Sequence, residues 1–281
     1  MNCSQRVGFF TDTSICIGCK ACEVACKEWN EVPEDGLNFL GTSYDNTGGL
    51  GADSWRHVAF VEQRTASGDG VGGVRWLMSS DVCKHCTHAA SLDVCPTGSL
   101  FRTEFDTVVV QSDICNGCGY CVSACPFGVI DKREGDGRAW KCTLCYDRLK
   151  AGRQPACATA CPTGSIQFGL LDDLRERAAA RVDSLHAAGV ADARLYGHDP
   201  ADGVGGAGAF FLLLDDPEVY GLPPDAVVTT RDLPAMWRSA AGAAVTLAAG
   251  IAAAFLSRRS GHAGLSRRSG HAGRPRRPAR R

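Results

Sequence analysis

The sequence predicts an α+β fold that ends in a single C-terminal transmembrane helix. Three features predict it: four tight cysteine groups separated by short β-like runs, one amphipathic stretch beyond them, and a long uncharged segment near the end. A chain of 281 residues has room for one large domain or two modest ones.

The first cysteine group occupies 16–26. A Gly-rich polar insertion follows, GLNFLGTSYDNTGGLGADS, and then two strand-like runs, 57–63 and 74–78, with a turn at SGDGVGG between them. Further cysteine groups lie at 83–95, 115–125 and 142–161. Short β runs accompany them at 99–102, 107–110 and 165–168. Around the cysteines there is little apolar periodicity, so a body this rich in loops needs internal staples. Residues 171–188 read as a helix, with Leu174, Ala178, Val182 and Leu185 on one face and Gly189 as the stop. Residues 209–214 read as a buried strand, and the glycines of GVGGAG, which precede a strand instead of following one, read as a loop. A proline-bearing connector, VYGLPPDAVVTTRDLP, leads to eighteen residues without a charge, 239–256, bracketed by Arg238 and Arg258. The tail repeats LSRRSGHAG and ends in RPRRPARR, a low-complexity composition expected to be disordered. The expected division is therefore 1–170 for the cysteine-bearing domain with an insertion at 31–80, then 171–235 for a helix–strand extension and connector. The spanning helix is expected at 236–257 and the basic tail at 258–281.

The formal net charge is −1, but nine arginines and no acid fall after residue 256, leaving 21 basic against 31 acidic groups in the body. An acidic body argues against nucleic-acid binding, and a basic tail beside an apolar segment invites a membrane. The start, MNCSQRVGFF, has neither an apolar leader core nor a twin-arginine pair, so export by a signal of its own is not expected. Disulfides are then an unlikely main use for sixteen cysteines.

Spacing decides their use. Cys16-x2-Cys19-x2-Cys22-x3-Cys26 and Cys115-x2-Cys118-x2-Cys121-x3-Cys125-Pro126 have the spacing of bacterial ferredoxins. Two intervening residues let a tight loop aim three thiolates at one iron–sulfur cube, while the fourth cysteine points away and serves a neighbouring cluster. Two variants follow the theme. Cys142-x2-Cys145-x11-Cys157-x3-Cys161-Pro162 keeps four ligands, and Cys83-x2-Cys86-x8-Cys95-Pro96 keeps three. The position four residues before Cys95 is Ser91, so fifteen cysteines and one serine fill sixteen ligand slots, and Cys3 is left over as a free thiol. Zinc is the serious rival, yet zinc sites use two CxxC pairs and do not need the four-cysteine run. Haem is disfavoured because CIGCK, CKHCT and CTLCY lack the histidine directly after CxxC.

On these residues the chain resembles the four-cluster ferredoxin-like subunits of molybdopterin oxidoreductases, over residues 7–256. GFFTDTSICIGCKACEVACKEWNEVP, CKHC, CNGCGYCVSACPFGVI, KCTLCYDR and DDPEVYGLPPDA narrow the resemblance to the iron–sulfur (beta) subunit of membrane-bound formate dehydrogenase. The resemblance implies two pseudo-symmetric ferredoxin-like modules end to end. It pairs Cys16, Cys19 and Cys22 with Cys161, and Cys142, Cys145 and Cys157 with Cys26. It likewise pairs Cys115, Cys118 and Cys121 with Cys95, and Cys83, Cys86 and position 91 with Cys125. It implies electron transfer from a molybdenum- or tungsten-pterin catalytic (alpha) subunit that oxidises formate to a membrane cytochrome b (gamma) subunit and quinone. A sulfoxide, polysulfide or nitrate reductase is the alternative parent, and a zinc-stabilised assembly module is the rival of another class. Ser91 departs from the family, which has cysteine there. A hydroxyl ionises far above a thiol, so three sites are expected to hold [4Fe–4S], and the fourth a [3Fe–4S] cluster, a [4Fe–4S] cluster with a non-cysteine ligand, or nothing.

Lys20, Lys27, Lys84 and Lys141 lie beside ligand cysteines and either offset cluster charge or are ordinary solvated lysines. His85 and His88 sit in the altered group but miss the expected slot, and Trp29, Trp55, Trp76 and Trp140 read as packing or interface residues. No paired carboxylates or activated nucleophile stand out, so the protein is expected to carry electrons without catalysing a reaction itself. Eighteen helical residues span about 27 Å, just short of a bilayer core, and Gly242, Thr246 and Gly250 give one smooth face for another membrane helix. The arginine distribution puts the tail in the cytoplasm and the body on the opposite face, with a cytoplasmic body as the alternative. Protease accessibility of the body in intact cells against spheroplasts decides between them.

Overall fold

The computed structural model describes residues 6–36, 39–41, 44–64 and 73–265, with side chains as far as residue 258. Cys3, most of the SGDGVGG turn and the tail beyond 265 lie outside the described residues. Two compact units are present, Met1–Arg231 and Asp232–Arg281.

The elements of the first unit, in order, are β1 (Val7–Asp12), α1 (Ala21–Asn30), β2 (Arg56–Arg64), β3 (Val74–Val82), α2 (Ala90–Asp93), β4 (Leu100–Arg102) and β5 (Val108–Val110). Then come α3 (Tyr120–Ala124), β6 (Asp131–Lys132), β7 (Ala139–Trp140), α4 (Tyr146–Lys150), α5 (Ala156–Thr159), β8 (Ile166–Leu170), α6 (Leu171–Ala187), β9 (Arg194–Tyr196) and β10 (Ala209–Leu213). The secondary structure is mixed α and β. Strands β2–β3, β4–β5 and β6–β7 form antiparallel pairs, and a four-stranded sheet runs in the order β8-β1-β10-β9.

That sheet is the mechanical centre of the first unit. Strand β1 pairs parallel with β10, Phe9 opposite Ala209, and antiparallel with β8. Successive residues of a strand face opposite ways, and both faces here are covered. Phe9, Ala209, Phe211 and Leu213 pack into the cluster that contains buried cysteines. Phe10, Phe210 and Leu212 pack instead with Leu171, Leu174, Ala178 and Leu185. Two-sided burial explains why AFFLL reads as one unbroken apolar run. Helix α6 supplies the second layer; Asp172 and Asp173 suit the positive end of its dipole, and Gly189 at φ +88° ends it as expected.

The β1–β10 seam depends on two glycines. Phe9 N–H donates to Gly208 O at 2.8 Å, and a Cβ built on Gly8 would lie 2.0 Å from that same oxygen. Any side chain at residue 8 would force this backbone contact apart.

Two stretches of the first unit repeat the same local hydrogen bonds. Asp12 N–H donates to Ser165 O at 2.8 Å, and Gln111 N–H to Ser99 O at 2.8 Å. Ser165 Oγ donates to Asp12 O at 2.7 Å, and Ser99 Oγ to Gln111 O at 2.7 Å. A short 3₁₀ turn precedes each complete cysteine run, Thr13–Ile15 and Ser112–Ile114. Ser91 is the second residue of α2, as Cys157 is of α5.

The second unit is carried by α7 (Leu233–Leu265). Its stretch Leu233–Arg258, 26 residues, is long and apolar enough to cross a membrane, or about 39 Å at helical rise. It starts before the uncharged segment because Leu233, Met236 and Trp237 extend the apolar composition N-terminally. Thr246 Oγ1 donates to Ala243 O at 2.8 Å, so its hydroxyl is satisfied inside the helix, as a lipid environment requires.

Candidate metal centres

Each CxxC loop must turn sharply enough to bring two thiols to the same side. In all four, the residue before the second cysteine adopts the left-handed conformation: Gly18 (φ +65°), His85 (φ +45°), Gly117 (φ +70°) and Leu144 (φ +57°). Glycine does this freely, whereas histidine and leucine are strained and need surrounding structure to hold them. Leu144 and His85 are fully buried, which supplies that hold.

The loops and short helices gather the cysteines into four sets. Cys16, Cys19, Cys22 and Cys161 line one cavity. The thiol of Cys26 feels the charges of Cys142, Cys157 and Cys145, and Asn30 Nδ2 lies 3.7 Å from both Cys26 Sγ and Cys145 Sγ. Cys121 feels Cys115, Cys118 and Cys95. Cys83, Cys86 and Cys125 line another cavity, and Ser91 lines it with them. The sets are neighbours: Cys22 feels Cys157, and Cys142 feels Cys83. In the other direction Cys121, Cys95 and Cys115 pack in one cluster with Cys125. Among these residues Cys19 and Cys118 are exposed and all the others are buried or half-buried.

All fifteen cysteines of the described residues are free. Their acidities follow burial and mutual repulsion. Burial, then the neighbouring thiolates Cys83, Cys157 and Cys145, pushes Cys142 up to about 12. Burial with Cys115, Cys118 and Cys95 pushes Cys121 up to about 11, and Cys26 and Cys86 are raised for the same reasons. Cys95 and Cys161 are lowered. Burial works against ionisation there, but N–H groups of Leu100, Thr97 and Ser99 outweigh it at Cys95, and those of Ile166, Thr163 and Ser165 at Cys161. The N–H groups of the two CPTG turns thus favour the thiolate form of Cys95 and Cys161, while burial disfavours it at the enclosed thiols.

This donor set fits iron–sulfur clusters: three sulfur donors line one cavity and four another, and the remaining eight cysteines fall into two further sets of four.

The altered set has its own chemistry. His85 is buried beside Ser91, and its Nδ1 accepts the Val108 N–H at 3.1 Å. The neutral ring then carries its proton on Nε2, which leaves no free lone pair there to replace the missing thiolate. His88 also lines this cavity.

Two lysines that the sequence left undecided are buried. Lys84 pairs with Asp81 and lies 5.2 Å from the ring centres of Phe127 and Phe211, while Lys141 donates to Val108 O and to Cys142 O at 2.9 Å. Lys20 and Lys27 are partly exposed and paired, with Glu23 and Asp45 and with Asp35 respectively. Trp55 donates to Ala52 O at 2.7 Å and stacks near Trp140, as packing residues do. Trp29 donates to Asp147, with Arg148 and Arg153 against its ring. Sequence reasoning passed over Arg56, which lies buried among the cysteines. Its only signal was a cation opening a strand whose next inward residue, Val58, is apolar.

A family model described as "4Fe-4S dicluster domain" matches residues 74–171. The nitrate-inducible formate dehydrogenase iron–sulfur subunit of Escherichia coli is 40% identical over 239 residues, 84% of this protein and 78% of that one. The formate dehydrogenase-O iron–sulfur subunit of the same organism is 40% identical over 257 residues, 88% of this protein and 82% of that one. The B subunit of its anaerobic dimethyl sulfoxide reductase is 36% identical over 179 residues, 62% of this protein and 78% of that one.

Proposed function

This protein belongs to the family of formate dehydrogenase iron–sulfur subunits, and on that premise we propose that it relays electrons from a formate-oxidising partner to the membrane. It works as one subunit of a multi-subunit oxidoreductase. Iron–sulfur clusters, when bound, supply the one-electron storage and release that the relay needs.

The observation that carries the proposal is the convergence of the cysteines into four adjoining sets. In this reading Cys16, Cys19, Cys22 and Cys161 hold one cluster, and Cys142, Cys145, Cys157 and Cys26 the next. Cys83, Cys86 and Cys125 with Ser91 hold the altered one, and Cys115, Cys118, Cys121 and Cys95 the last. Neighbouring charges support that order, and the exposed Cys19 and Cys118 support its two ends. The repeated hydrogen bonds at Ser165 and Ser99 support two pseudo-symmetric ferredoxin-like modules. The protein's residues hold the thiols in place, bury most of them from water, and donate N–H groups to Cys95 and Cys161.

The partners are a molybdopterin-containing catalytic subunit on one side and a membrane cytochrome b subunit on the other. Helix α7, a candidate membrane anchor, fits the second through its Gly242, Thr246 and Gly250 face. The arginine distribution favours a cytoplasmic tail and an extracytoplasmic body.

Formate added anaerobically to the intact complex is expected to bleach the charge-transfer absorbance near about 400 nm, as dithionite does. Bleaching by dithionite but not formate, with recovery on adding a sulfoxide, would assign the protein to a reductase instead. The 36% identity to the dimethyl sulfoxide reductase subunit is what favours that second reading.

A further inference from the structure

Arg56 is 2% exposed, and among the described residues no carboxylate pairs with it. It opens β2 opposite Val82, next to Cys83. One guanidinium nitrogen, Nη1, donates to Ser80 Oγ at 2.9 Å and Ser80 O at 3.2 Å, and Ser80 Oγ lies 3.2 Å from Cys22 Sγ. The guanidinium carbon lies 5.0 Å from the Phe9 ring centre. Nε and Nη2 are buried with no hydrogen-bond partner.

A buried cation with two unmet donors is costly unless an anion lies beside it. The groups around this one are thiols from two sets: Cys157, Cys142 and Cys26 from one, Cys22 from the other. Burial works against the charge of Arg56, and the neighbouring Cys157, Cys22, Cys142 and Cys26 work for it once they are ionised. Arginine suits such a place better than lysine, because its planar fork can address two acceptors at once and its charge is permanent.

We propose that Arg56 is the shared counter-ion of two adjoining cluster sites, that of Cys16, Cys19, Cys22 and Cys161 and that of Cys142, Cys145, Cys157 and Cys26, its guanidinium setting the reduction potentials of both upward. The proposal rests on the cluster reading above. A thiolate-bound cluster is anionic, and uptake of one electron adds one negative charge beside a fixed positive one. That stabilises the reduced form, and a single residue acts on two sites because it lies between them. Ser80 fixes the fork's direction and donates toward Cys22 when Arg56 occupies its oxygen. Lys84 and Lys141 line the Cys83, Cys86 and Cys125 cavity instead, Lys84 paired with Asp81 and Lys141 bonded to the carbonyls of Val108 and Cys142.

The test is an EPR-monitored redox titration of the intact complex with wild-type, Arg56→Gln and Arg56→Lys subunits, each with its iron content. In Arg56→Gln two of the cluster signals should move to lower potential, the equilibrium toward reduction falling roughly tenfold to a hundredfold at each. The other two should stay within measurement error, and Arg56→Lys should recover most of the shift. If Arg56→Gln instead loses half of its iron while Arg56→Lys keeps it, the charge is needed to retain the two clusters beside it, which also supports the proposal. Equal behaviour of Gln and Lys variants, a uniform shift of every signal, or failure of both variants to fold would overturn it. A wild-type complex without cluster signals would sink the cluster reading itself, a different result from an unmoved potential.

Discussion

Stripping iron from the protein unfolds the cysteine-bearing part of residues 6–231 instead of leaving an empty native scaffold. The helices that carry ligands there are short: α2 and α5 have four residues, α3 and α4 five. Helices of that length do not stand alone in water, and isolated two-stranded ribbons such as β4–β5 are marginal at best. Cys22, Cys26, Cys83, Cys142 and Cys157 are themselves part of the largest apolar cluster. With iron gone they become neutral thiols around voids, at a cost of several kcal/mol per site. The layer of Phe10, Phe210, Leu212, Leu171 and Leu174 contains no cysteine, so α6 and its sheet should outlast the rest. Circular dichroism and limited trypsin digestion, before and after chelation under reducing conditions, check this. Retained helicity, from α6 and α7, with new cleavage between residues 16 and 161 is the expected result. An unchanged digestion pattern would mean that packing alone holds the fold.

Ser91→Cys makes the altered site behave like its neighbours, and Cys157→Ser transfers the defect. Both residues stand second in a four-residue helix, four positions before a Cys-Pro pair. A serine hydroxyl gives up its proton far less readily than a thiol, so an iron corner that depended on it would be weakly held. In the wild type, one site should therefore lose iron first on exposure to air, at least about tenfold faster than the others. An EPR signal present before any reductant is added would identify it as [3Fe–4S]; a site silent when oxidised that gives a fourth signal on reduction would identify a [4Fe–4S] cluster with a non-cysteine ligand, and no fourth signal in either state an empty site. Ser91→Cys should abolish the rapid phase, and Cys157→Ser should create a second one. Identical iron-loss kinetics in all three proteins would remove Ser91 from the ligand set.

What the sequence revealed depended on how local the cause was. The four-cysteine runs are local geometry, and the turns they need are written as Gly18 and Gly117. Helix α6 was legible because Leu174, Ala178 and Leu185 recur at helical spacing and Gly189 closes it. The β2–β3 and β4–β5 pairs followed from adjacent runs of strand formers. The parallel β1–β10 pairing was not legible, since it joins residues about 200 positions apart and depends on the fit of Gly8 against Gly208. The left-handed His85 and Leu144 were hidden too, because their strain is held by burial and not by residue type. Burial likewise decided Lys84, Lys141 and Arg56, whose charges say nothing of depth until the chain has folded around them.

Electron relay depends on sulfur corners gripping iron, and iron, acid-labile sulfide and zinc measured on one anaerobically purified sample test that most directly. Four occupied sites give about 15 or 16 iron atoms per chain with matching sulfide, and little zinc. A colourless sample with stoichiometric zinc and no labile sulfide would contradict it.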